Sequence, residues 1–104
     1  MKIIVVKPFQ NPKVMEIDHT LEAMQAVVGG YIEAVYPFED EVALVVNEEG
    51  KINGLPMNRF LFDDDGNLID IIVGTFFICG APSDCDSFTD IPDELIAKYT
   101  NRFC

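Results

Sequence analysis

Apolar residues fall along this chain in short blocks between turn-forming residues, a pattern that predicts strands and short helices. Lys2 to Lys7 (KIIVVK) is a continuous β-branched run that suits a central or well-covered strand. Pro8 and Asn11-Pro12 place the first connection near residues 8 to 12, and the alternating Lys13 to Ile17 (KVMEI) reads as a second strand paired with the first. Asp18 or Thr20 then caps a helix in which Leu21, Met24, Val27 and Val28 recur at helical spacing. Gly29-Gly30 stops that helix. Tyr31 to Tyr36 returns as a strand closed by Pro37, and Phe38 to Glu41 forms an acidic loop.

Val42 to Val46 (VALVV) is the least ambiguous strand. Asn47 to Gly50 reads as a turn with a positive φ at Gly50, and Lys51 to Asn53 as a short return, which makes residues 42 to 53 a hairpin. Gly54-Leu55-Pro56 breaks the chain, and Met57 to Phe62 is either one helical turn or an irregular crossing. Asp63 to Asn67 is an acidic hairpin turn; its glycine and acids miss the offsets of a calcium loop. Leu68 to Cys79 reads as one long β segment with a bulge or close backbone approach at Gly74, ended by Gly80-Ala81-Pro82. Residues 83 to 90 are loop-like. Ile91 to Phe103 is a helix with Pro92 near its start and an apolar stripe of Leu95, Ile96, Tyr99 and Phe103. The expected fold is α+β: a mostly antiparallel sheet of about five strands, with the internal and C-terminal helices packed on one side.

Length changes the picture little: 104 residues suit a single domain, 1–104, with a core large enough to fold without staples. No apolar run approaches the roughly 20 residues of a membrane-spanning helix, and the N-terminus reads as a first strand and not a leader, so the expectation is a cytoplasmic protein. The three cysteines are an odd number, unlike a disulfide framework. Cys79 reads as buried, Cys85 and Cys104 as exposed. A zinc set of Cys79, Cys85 and His19 matches no usual spacing, so neither a metal nor a cofactor is expected.

Charge changes it more. The formal net charge is −11, which disfavours direct binding to nucleic acid or an anionic membrane and favours plain solubility or a basic protein partner. Spare apolar stripe leaves a homodimer open. No nucleophile-base-acid set, Ser elbow or phosphate cradle is present, and the acidic clusters sit in turns where charge is ordinarily solvated. The pair singled out for binding is Asn58-Arg59, because an arginine after the Gly-Leu-Pro break can grip a carboxylate or phosphate in a fork. The bland alternative pairs Arg59 with a neighbouring acid and Asn58 with local backbone. Tyr31, Glu33, Tyr36 and Phe38 join the candidate surface if their strand neighbours the hairpin.

Thr20 to Gln25 running into Gly29 to Glu33, Val45 to Lys51, Gly54-Leu55-Pro56 with Asn58-Arg59, and Ile72 to Phe76 together resemble the domain of unknown function 3846 family. The resemblance covers roughly residues 1–80 as a family-like core and leaves 81–104 as a C-terminal loop and helix. It implies a protein of phages and mobile elements, without assigned catalytic residues. The expectation is therefore a non-enzymatic accessory protein that binds a bacterial protein, as an anti-defence or DNA-mimic-like decoy. The alternative is a protein that sequesters a nucleotide-like molecule through Asn58 and Arg59.

Overall fold

The computed structural model describes residues 1–104. Its elements in chain order are β1 (Lys2–Val6), β2 (Lys13–Glu16), α1 (Leu21–Val28), β3 (Ile32–Val35), β4 (Val42–Asn47), β5 (Met57–Phe62), β6 (Leu68–Val73), β7 (Phe76–Gly80) and α2 (Asp93–Arg102). Five strands form one antiparallel sheet in the order β2-β1-β7-β4-β3, and β5-β6 is a separate two-stranded hairpin. The α+β class and the five-strand antiparallel sheet match the expectation. No helix is long and apolar enough to cross a membrane.

The register explains the layering. Ile4, Ile78 and Leu44 align across β1, β7 and β4, and so do Val5, Phe77 and Val45 one residue along. Because strand side chains alternate, the first row faces one side of the sheet and the second row the other. Both sides are buried: α1 covers the second through Met24 and Val28, while Leu61 and Ile72 of the hairpin and Tyr99 and Phe103 near α2 cover the first. The two helices therefore lie on opposite faces, not on one. Runs such as Ile3–Val6 are apolar on both faces, so periodicity carried no side information. Burying Phe76 and Phe77, both fully inaccessible, stabilises the fold by roughly 1.5–3 kcal/mol each, which makes β7 the strand both layers depend on.

Local signals act as expected around α1. Thr20, not Asp18, is its N-cap, accepting the Ala23 N–H at 3.1 Å, and Gly29 ends it at φ 81°. The middle of the chain departs from the reading. Residues 51–53 form turns and not a strand, so there is no 42–53 hairpin; β4 pairs instead with β3 and β7. Positive φ falls at Gly54 and not at Gly50. Met57–Phe62 is a strand, paired with β6 across the acidic turn at 63–67. The long 68–79 segment is split at Gly74, whose φ of 73° turns the chain out of the hairpin and into the centre of the large sheet. A side chain at Gly74 is strained by that φ and also meets Leu55, since its Cβ falls 2.6 Å from Leu55 Cδ1.

Candidate functional site

Asn58 and Arg59 sit at the start of β5, beside the end of β1 where Val6 pairs with Phe76. Asn58 Nδ2 donates to Val6 O at 2.9 Å and to Gly74 O at 2.8 Å, joining the hairpin to β1 and to the β6–β7 corner. Arg59 donates from Nε to Phe103 O at 2.9 Å, from Nη2 to Gln10 O at 2.6 Å and from Nη1 to Asn58 Oδ1 at 2.7 Å. Arg59 thus pairs with main-chain carbonyls and not with a neighbouring acid, and Asn58 bonds backbone far away in sequence and not local backbone. Together they form a clasp that holds the β1–β2 turn, the hairpin and the end of α2. The bonds to Val6, Gly74 and Phe103 are half-buried, so losing one of them costs about 1 kcal/mol.

Asn47 plays a matching part, beyond that of a turn residue. It is buried; its Nδ2 donates to Val28 O at 3.1 Å and its Oδ1 accepts the Glu49 N–H at 2.8 Å, tying the end of α1 to the turn after β4. A Cβ at Gly30 would stand 3.0 Å from Asn47 Nδ2, a tight contact with a side chain held by its own hydrogen bonds. The signal was present: a polar residue closing an otherwise apolar run (VALVVN) is a buried hydrogen-bonding pivot as readily as a turn.

The remaining candidates do not gather around Arg59. Tyr31 and Tyr36 flank β3 at the sheet edge and are 64% and 63% exposed, the latter beside the 81–88 loop. Phe38 is buried, stacked 5.2 Å from Tyr99 with Arg102 over its ring at 4.1 Å. Glu33 borders a hollow of about 130 Å³ between the β3–β4 edge and β6, lined also by Val46, Glu48, Lys51, Leu61 and Asp70, and Tyr36 borders a separate one against the 81–88 loop. Neither Asn58 nor Arg59 lines either of them.

The opposite end of the sheet, where Val42 pairs with Gly80, brings three acidic turns together. The Glu39 N–H donates to Asp64 Oδ2 at 2.9 Å, and Ser83 Oγ donates to Glu41 Oε1 at 3.0 Å. Glu39, Asp40, Glu41, Asp63, Asp64, Asp65, Asp84 and Asp86 therefore share one end of the molecule, where Lys98 pairs with Asp40 at 2.6 Å and Arg102 with Asp64 at 3.0 Å. Hydrogen bonds from Lys98 and then Tyr99 hold the Asp40 carboxyl below its usual range. The Glu39 amide, and then Arg102, do the same for Asp64. Burial, and then the Asp40 carboxylate, push the Tyr99 phenol up.

Cys79 is fully buried under α1 with its thiol pushed up to about 12 by that burial, while Cys85 and Cys104 are exposed. No group of three His, Cys, Asp or Glu side chains is placed to hold a metal ion. No curated protein and no solved structure matches the chain. The family profile described as Domain of unknown function (DUF3846) matches residues 1–104, so it takes in the 81–104 segment that the motifs alone leave out. The residues that carry those motifs are, in large part, the ones that hold the fold: Gly30 and Asn47, Leu55 against Gly74, and the Asn58-Arg59 clasp. The chain belongs to the DUF3846 family.

Proposed function

We propose that this chain is a non-enzymatic accessory protein of phage or mobile-element type that works in the cytoplasm by binding a basic bacterial protein, as an acidic decoy against a DNA-handling or defence factor. The supporting observation is the contact between Glu39 and Asp64, which gathers acidic turns scattered in sequence onto one end of the fold. Of the eight carboxylates there, Asp40 and Asp64 pair with Lys98 and Arg102, while the other six, among them Glu39, Asp65 and Asp84, are in no ion pair. Such a local field attracts a basic surface from a distance and speeds encounter.

The sequestering alternative has less support. Most of the Arg59 donors are taken by main-chain carbonyls. Neither Asn58 nor Arg59 lines the hollows along β6, beside α1 or beside Tyr36. The test is capture from bacterial lysate at low and high salt, with bound proteins and small molecules identified by mass spectrometry. A basic protein retained at low salt, released at high salt and lost with the double variant Glu39→Lys, Asp65→Lys is the expected result. A nucleotide-like compound retained at both salts and by that variant overturns the decoy.

A further inference from the structure

The β5–β6 hairpin combines two features unusual in so acidic a chain. Phe60, Leu68, Ile69 and Ile71 are each between 37% and 55% exposed, and β6 has no strand beyond it. At the middle of that free edge the Ile71 N–H donates to Asp70 Oδ1 at 2.7 Å, and Lys51 Nζ holds the same oxygen at 2.6 Å. A charged side chain folded over an edge donor is a known way of keeping stray strands off. Concavities lie along β6 on both sides: the cleft toward β3, with Glu33, Glu48 and Asp70, and a shallow apolar hollow over Leu68, Ile69 and Val73.

We propose that the β6 edge is a strand-addition site for an extended segment of a basic protein, with Lys or Arg alternating with apolar residues. The proposal rests on the protein-partner reading above and names the form its partner takes. Alternate side chains of an added strand point to opposite faces. One set meets the carboxylates along the rim of the cleft, where the only cation, Lys51, is already tied to Asp70; the other set covers the exposed apolar face. A second copy of this chain would bring its own carboxylates against the same cleft, so charge selects a basic occupant over self-association. Binding requires Asp70 to swing off the Ile71 N–H, which a carbonyl of the incoming strand then takes.

The test uses the full chain and an end-blocked heptapeptide of alternating lysine and valine, titrated by calorimetry. Two further peptides of identical charge carry N-methyl groups on the odd or on the even residues. The parent peptide is expected to bind, with exchange of the Ile71 amide slowed. One N-methyl peptide should lose about tenfold or more in affinity, because its amides face β6. Asp70→Ala should tighten binding about threefold or more by freeing the edge, and Lys51→Ala, which releases Asp70, should act in the same direction. Absence of binding, equal binding of both N-methyl peptides, or weaker binding by Asp70→Ala, as loss of a carboxylate alone would give, overturns the proposal. A chain found dimeric through β6 also overturns it. The Glu39→Lys, Asp65→Lys variant should keep the difference between the N-methyl peptides, so failure of the acidic-end reading and failure of the edge reading give different results.

Discussion

The hairpin is fastened to the large sheet at both ends, but by different chemistry. Where β5 begins, Asn58 and Arg59 bond main-chain carbonyls of Val6, Gly74, Gln10 and Phe103. Where β5 ends, Arg102 reaches the Phe62 and Asp63 carbonyls and the Asp64 carboxylate, and Asp64 accepts the Glu39 N–H. The first end is governed by largely half-buried hydrogen bonds to main-chain carbonyls, which salt screens little. The second is governed largely by exposed charge, which salt screens and acid removes. The acidic end and the Asn58-Arg59 clasp thus fasten opposite ends of the same hairpin.

The largest effect is expected at the corner of the clasp. Gly74→Val forces a β-branched residue into a left-handed conformation against Leu55 and should cost about 3 kcal/mol, read as a lowered urea midpoint. Asn58→Ala follows at about 2 kcal/mol, with the same loss in low and in high salt. Arg102→Ala should cost about 1–2 kcal/mol, and part of that loss should vanish at high salt. Salt dependence at Asn58, or its absence at Arg102, would break the contrast between the ends.

Acid acts on the second end. The Asp40 and Asp64 carboxyls titrate below their usual range in the folded chain, so the stability they contribute is present above the unfolded value of about 3.9 and is lost as pH falls through the lower folded values. Asp40→Asn should therefore lower the urea midpoint at pH 7, and the difference from the parent protein should shrink as the pH falls through the lowered folded value. The smallest effect concerns the thiols. Cys85 and Cys104 should react with a thiol reagent in the native state, and Cys79 only in denaturant; replacing either exposed cysteine by serine should leave the unfolding free energy within about 0.5 kcal/mol of the parent.

What the sequence made legible follows from how local each signal is. The Thr20 cap, the Gly29 stop, the 63–67 turn and the buried Cys79 depend on a few adjacent residues, and each is found where its residues indicate. The strand at Met57–Phe62 was hidden because Met, Asn, Arg and Leu carry little β preference; it is a strand only because β6 lies beside it. Gly74 was noticed, yet a bulge and a change of sheet look alike in sequence. Arg59 stood out as a binder of anions because a rare arginine draws the eye, whereas the carbonyls it holds come from residues 10, 58 and 103, which sequence alone does not bring together. The β6 edge was not legible at all, since an unpaired edge is a property of what fails to lie beside a strand.

The place of β7 in the chain has a consequence for synthesis. It is the middle strand of the large sheet, flanked by β1 and β4, yet it is the last strand to be made. Until residue 80 has left the ribosome, β1–β2 and β3–β4 are two hairpins with nothing between them, and an isolated hairpin is marginal in water. The sheet therefore closes late, through contacts that span most of the chain, which slows folding relative to a fold built from neighbours. A chain cut short within the β6–β7 corner would not be a smaller version of this protein; it would be a pair of sticky ribbons.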